Sequence, residues 1–242
     1  MYDIKIGWLY PNLMNLHGER GSVKALMKIG ENMGLHMQLK RIEDFDNEIP
    51  FDDLDIIMVL PGEISRFPEI MDSFRKQKHS LEQYLNHDGY LLAIGTSGLM
   101  FGKSILREDG SNMECLGYLD LTAKERKYVW GDDLHFRILG SMEELIGSQI
   151  QMADVDAAQP LGKTIYGMGN NNTGTEGARY KNLIYTNCLG PLFVKNPWFA
   201  EKILKDICLR KYLGIQSKIP YTLSEQSFES TLKFIQNKPH NS

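Results

Sequence analysis

The sequence predicts an α/β fold with a mainly parallel central sheet and helices on both faces, and three features carry that prediction. Short apolar runs recur at Ile4 to Tyr10, Leu54 to Leu60 and Tyr90 to Ile94. After Asp55 the second is uninterrupted, as is the third, which suits strands buried on both faces. Segments with apolar residues at helical spacing lie between the runs. Each run stops at a turn-forming group: Pro11-Asn12, Pro61-Gly62-Glu63 and Gly95-Thr96-Ser97-Gly98. Ligands of parallel sheets bind where strands end, so these turns should line one rim.

Taken in order, Ile4 to Tyr10 reads as a central strand. A polar turn with Asn15, His17, Glu19 and Arg20 follows, then a helix with Val23, Leu26, Met27 and Met33 on one face and Gly34 as its C-cap. His36 to Ile42 alternates as a strand does. From Phe67 to Leu85 one helical stripe runs through Ile70, Met71, Phe74, Leu81 and Tyr84 up to Asp88-Gly89. Gly117 to Ile150 is strand-like but irregular, and Gly169 to Asn172 marks a turn. Leu183 to Leu189 reads as another strand, and Pro197 opens a helix bearing Phe199, Ile203, Leu204 and Ile207. Thr222-Leu-Ser-Glu225 has the form of a capping box for a last helix with Phe228, Leu232 and Ile235. The expected division is one domain over 1–215 and a helical appendage over 216–242.

Composition narrows the function class. Of 242 residues, 42% are hydrophobic and 24% charged, enough for a sizeable core. With 27 basic and 31 acidic residues the formal charge is −4, which gives no general attraction to nucleic acid or anionic membrane. No apolar run approaches 18 residues, so no membrane span is expected, and the N-terminus lacks the form of a signal peptide. Cys115, Cys188 and Cys208 are too scattered for a disulfide framework or a zinc site. The expectation is a cytoplasmic protein with no cofactor and no metal.

The stretch from Tyr90 to Gly102 organises the rest. Strand, tight turn and helix is the geometry in which α/β enzymes hold a nucleophile on a strained elbow. Around it, Leu9-Tyr-Pro-Asn-Leu-Met-Asn-Leu-His-Gly-Glu-Arg-Gly21, Phe101-Gly-Lys, Asp109-Gly110 and Leu116-Gly-Tyr-Leu-Asp120 fall in order. Gly167-Met-Gly-Asn-Asn171, Glu176-Gly177, Tyr180-Lys-Asn182 and Gly190-Pro191 complete the set. Over roughly residues 4–213 the chain resembles the CobB/CobQ-like class I glutamine amidotransferases, closest to their GatD-type glutaminase branch, which acts in lipid II amidation. The resemblance implies a flavodoxin-like three-layer sandwich. It also implies a cysteine at the elbow that attacks the glutamine amide, a histidine that moves protons, and backbone amides that hold the oxyanion. Ammonia would then pass to a Mur-ligase-like partner, MurT, in cell-wall precursor metabolism.

Here the family pattern breaks. The cysteine position falls on Gly95 and the histidine position on Leu189. Glycine offers no nucleophile and leucine moves no proton. The family's arginine falls near Tyr128. Thr96, Ser97 and Cys188 are the remaining candidates for a displaced nucleophile, and Gly62, Gly95, Thr96, Ser97 and Tyr128 for a retained pocket that takes a small polar ligand such as glutamine. The plainer alternatives are a tight turn with a capping hydroxyl at Thr96 or Ser97, a β-turn at Gly62, and Cys188 as a core residue. Three readings stay open: a catalytically degenerate partner or scaffold subunit, an active amidotransferase or hydrolase with a displaced nucleophile, and a small-molecule-binding module on the same fold.

Overall fold

A computed structural model of the chain describes residues 3–45, 48–215 and 220–238. The elements run β1 (Asp3–Leu9), α1 (Arg20–Asn32), β2 (His36–Ile42), β3 (Ile56–Val59), α2 (Phe67–Lys76), α3 (Lys78–Asn86) and β4 (Tyr90–Ile94). A 3-10 turn over Gly95–Phe101 leads to β5 (Ser104–Leu106), β6 (Asn112–Glu114), β7 (Leu121–Ile138), β8 (Glu144–Ala157), β9 (Gly162–Tyr166), β10 (Thr175–Glu176), β11 (Ala178–Tyr180) and β12 (Leu183–Thr186). Three helices end the chain: α4 (Leu192–Lys195), α5 (Pro197–Arg210) and α6 (Thr222–Gln236).

Six strands form the central sheet in the order β11-β12-β4-β3-β1-β2. Every neighbour pair is parallel except β11–β12. Its strands alternate between two apolar layers. Ile57 and Val59 of β3 point into a layer with Phe67, Ile70 and Phe74 of α2 and Leu81 of α3. Ile56 and Met58 point the other way, onto Val23 and Leu26 of α1 and Ile203 and Leu204 of α5. Burying each such side chain stabilises the fold by roughly 1.5–3 kcal/mol. The three-layer α/β arrangement is therefore present, with helices on both faces.

A second sheet, β10-β9-β7-β5-β6 with β8 on β7, accounts for the strand-like but irregular pattern of Gly117 to Ile150. Those residues form most of a long antiparallel pair, β7 with β8, interrupted by a register shift between Glu125 and Trp130. Leu121 and Ala123 from the start of β7 pack into the α2–α3 layer, while Leu134 and Phe136 from its end pack into the α1–α5 layer. The ribbon thus ties both layers together.

Three smaller expectations are corrected. The Phe67–Leu85 stripe is two helices, because the backbone leaves helical angles at Gln77 (φ −115°, ψ 24°), whose side-chain amide donates to the Ser73 carbonyl while its oxygen accepts the Ile49 N–H. Strand β12 stops at Thr186, and Leu189 pairs instead with Ser148 of β8 in an isolated antiparallel bridge. Finally, Thr222 is the first helical residue of α6 rather than its cap. Tyr221 takes the cap position with no side-chain capping bond, and its carbonyl accepts the Glu225 N–H.

Candidate functional site

Parallel register brings the strand ends level, with Val59 beside Ala93 and Thr186 beside Ile94. The residues that follow, Pro61-Gly62, Gly95-Thr96 and Asn187 to Leu189, meet at one rim. The Tyr10–Arg20 loop joins them, since the Leu16 N–H donates to the Pro61 carbonyl at 2.9 Å.

Gly95 holds the elbow. Its φ of +64° is a left-handed conformation that glycine adopts without a side-chain penalty. A Cβ placed there would lie 3.2 Å from Leu189 Cδ2 and 2.9 Å from Pro61 Cγ. Positions 95 and 189 are therefore neighbours in space, and what stands between them is hydrocarbon. Gly98 is fixed by a closer approach, as its Cβ would fall 1.9 Å from the Tyr185 ring.

The neighbouring hydroxyls are both engaged. Thr96 Oγ1 donates to the Gly62 carbonyl at 2.6 Å and accepts the Gly62 N–H at 3.1 Å. Ser97 Oγ is fully buried and donates toward the Val59 and Ile94 carbonyls, at 2.7 and 2.9 Å. Neither caps the turn, which has no side-chain capping bond. Cys188 is fully buried, with Sγ close beneath Gly147. Burial pushes its thiol well up, and the Glu176 and Glu19 carboxylates push it further, so thiolate is strongly disfavoured. Tyr128 sits in the irregular stretch of β7 with 82% of its surface exposed. His135 lies on β7 with Nε2 2.8 Å from a Glu144 carboxylate oxygen, its ring edge-on to Phe228 of α6.

Two buried carboxylates frame position 189. Glu19, at the start of α1, accepts the Gly190 N–H at 2.7 Å, the Leu192 N–H at 3.2 Å and the Ser22 hydroxyl at 2.6 Å. Glu176 accepts the Asn187 N–H at 2.6 Å and the Thr186 hydroxyl at 2.9 Å. Burial raises both carboxyl pKa values, against the pull of these donors. Leu189 itself exchanges two backbone bonds with Ser148, at 2.8 and 2.9 Å. The segment from Thr186 to Leu192 is thus held on both sides of the residue that carries no catalytic group. In the sequence Glu19 is one member of a polar loop, and Glu176 one acid beside a glycine; neither carries a pattern that announces this role.

Among the described residues, no group of three or more His, Cys, Asp or Glu side chains is placed to hold a metal ion. No helix of the described residues is long and apolar enough to cross a membrane.

No family model matches the chain. It is 27% identical over 221 residues to the GatD subunit of the glutamine-hydrolysing lipid II isoglutaminyl synthase of Streptococcus pneumoniae, covering 87% of this chain and 83% of that one. It is 26% identical over 225 residues to the corresponding subunit of Staphylococcus aureus, covering 90% of each. Among solved structures, a glutamine amidotransferase matches with a TM-score of 0.53 at 12% identity, over 84% of this chain and 98% of the other. A second, from Thermotoga maritima, matches with a TM-score of 0.52 at 12% identity, over 98% and 94%. These structural likenesses speak to the fold.

Proposed function

We propose that this chain, a member of the GatD-like glutamine amidotransferases, is a catalytically degenerate subunit that serves a Mur-ligase-like (MurT) partner in amidation of a cell-wall precursor and does not itself hydrolyse glutamine. The observation that carries the reading is the contact between Gly95 and Leu189. Class I glutaminase chemistry needs a thiolate and an imidazole that meet over an oxyanion site. Here the two positions meet, and both are apolar. Loss of a nucleophile–base unit removes covalent turnover by about four to six orders of magnitude.

The surroundings favour the same reading. The Gly62 N–H, on the rim beside Gly95, is satisfied internally by the Thr96 hydroxyl. Thr96 and Ser97 each hand their proton to a main-chain carbonyl, and among the described residues neither hydroxyl is hydrogen-bonded to a side-chain base. Meanwhile the framework that would position a residue at 189, from Glu19 and Glu176 to Ser148, is intact. A scaffold that keeps its rim and loses its reacting groups is suited to binding a partner rather than to turnover.

The test is ammonia release from glutamine by the purified chain, alone and with a candidate Mur-ligase-like protein, alongside co-purification of the two. The expected result is a complex with no ammonia above background. Ammonia release that survives Cys188→Ala would point to a displaced hydroxyl nucleophile and overturn the proposal.

A further inference from the structure

Strands β7, β8 and β9 border a surface cavity of about 470 Å³ at the turn between β7 and β8. No described residue of α6 lines it, so it is separate from the seat of that helix. Arg137 of β7 stands opposite Glu144 of β8 on one side and opposite Lys163 of β9 on the other, and all three line the cavity. Glu144 is fully engaged. One of its oxygens accepts from both Nε and Nη2 of Arg137, and the other lies 2.8 Å from His135 Nε2. The neighbour of Lys163 on its far side is Thr175 of β10, which is neutral. Among the described residues the Lys163 ammonium has no carboxylate partner. Like charges directly opposite one another destabilise a sheet, and an anion seated between them removes the repulsion. Leu139 and Ile165 lie two residues beyond Arg137 and Lys163, the spacing that keeps side chains on one face. Because the strands are antiparallel, these two aliphatic groups flank the cation pair, one at each end. Both line the cavity, 53% and 51% exposed.

We propose that this cavity binds a small aliphatic carboxylic acid, with its carboxylate between Arg137 and Lys163 and its hydrocarbon against the flanking Leu139 and Ile165. Three observations converge on that chemistry. The cavity falls within the ~300–1,000 Å³ common to small-ligand sites. Its polar part is short of one negative charge, because Glu144 answers Arg137 and nothing answers Lys163. A carboxylate supplies that single charge and offers one oxygen to each cation, in charge-assisted bonds stronger than neutral ones. Its apolar part is two side chains left half in water, which a hydrocarbon tail would cover. A doubly charged head would overshoot the one uncompensated cation, and an uncharged one would leave it as it stands. The inference uses no residue of the Gly95–Leu189 rim, so it and the reading of that rim as non-hydrolysing can fail independently.

The experiment is calorimetric titration of the full-length chain with octanoate, with two controls that each lack half of the ligand. Octanoate should bind one to one. Octanamide, which keeps the tail and loses the charge, should bind about tenfold more weakly. Acetate, which keeps the charge and loses the tail, should bind weaker by at least about tenfold. Lys163→Gln should weaken octanoate about tenfold, while Lys163→Arg keeps the affinity within about threefold. Replacing Leu139 and Ile165 together by serine should weaken octanoate and leave acetate unchanged. Thermal melts give an independent reading. Without ligand, Lys163→Gln should melt no lower than the parent, since it removes a like-charge contact. Octanoate should raise the Tm of the parent and not that of the variant. Equal binding of octanoate and octanamide, or octanoate binding that Lys163→Gln leaves unchanged, would overturn the inference. So would the absence of octanoate binding to the parent, or tighter binding of octyl phosphate than of octanoate.

Discussion

Replacing Gly95 by alanine tests how the rim is built. Residue 95 sits at φ +64°, a conformation that costs an L side chain about 1–2 kcal/mol. The new methyl would meet the Pro61 ring at 2.9 Å and the Leu189 side chain at 3.2 Å. Crowding of that kind costs about 1–3 kcal/mol, because a proline ring cannot swing aside. The reduced freedom of the unfolded chain returns about 0.4–1 kcal/mol. The net expectation is a loss of roughly 2–4 kcal/mol, or about 5–15 °C in Tm for a domain of this size. Urea denaturation of Gly95→Ala, Leu189→Ala and the double variant closes a thermodynamic cycle. Leu189→Ala alone should cost about 2–5 kcal/mol as a buried truncation. The double variant should be more stable than the sum predicts, by about 0.5–1 kcal/mol, because one source of crowding has gone. A Gly95→Ala chain as stable as its parent, or strict additivity, would refute the contact between the two positions.

Other expectations follow from the same geometry. Burial raises the Glu19 carboxyl above its usual range, so the stability it contributes is full below about pH 4 and is lost as pH rises through the higher folded value. The stability gap between the parent and Glu19→Gln should therefore narrow from acid toward neutral pH in urea melts, and a widening gap would show that the hydrogen bonds outweigh burial. Thr96→Val removes the hydroxyl that accepts the buried Gly62 N–H and donates to the Gly62 carbonyl, which should destabilise the chain by about 1–3 kcal/mol with the fold retained by circular dichroism. We also propose that residues 1–215 form the folding unit: a chain ended near Gly214 should keep a cooperative melt, and global unfolding would refute the division.

Much of the central layer was legible because its signals are local. The Tyr90–Ile94 and His36–Ile42 strands stand in the structure at those bounds, and the elbow begins at Gly95 as expected, but the turn runs as a 3-10 segment to Phe101 and leads into β5 rather than into the helix that the strand–turn–helix reading implied. What escaped depends on distant partners. Strand β7 carries Lys124, Glu125, Arg126 and Lys127 within a strand whose pairing breaks between Glu125 and Trp130, so no steady alternation marks it. The break between α2 and α3 falls at Gln77, whose backbone is non-helical and whose side chain accepts the Ile49 N–H, 28 residues away. Glu19 meets backbone donors 171 and 173 residues on, and no residue type announces a backbone N–H. The Thr222-to-Glu225 spacing suits a capping box, yet the helix starts one residue earlier than that pattern requires, so a local motif pointed to the right helix with the wrong cap. At the site the positions of Gly95 and Leu189 could be named from the family pattern, but their contact could not, since Leu189 lies past the end of β12 and pairs with Ser148 of β8.

The central claim is that no side chain at this rim attacks a glutamine amide. Its most direct test is to incubate the unmodified chain with a glutamine-derived electrophile and measure its intact mass. Thr96 and Ser97 are bound to main-chain carbonyls, and the Cys188 thiol is buried and held protonated. The predicted result is the unlabelled mass. Stoichiometric labelling that maps to Thr96, Ser97 or Cys188 would contradict the account.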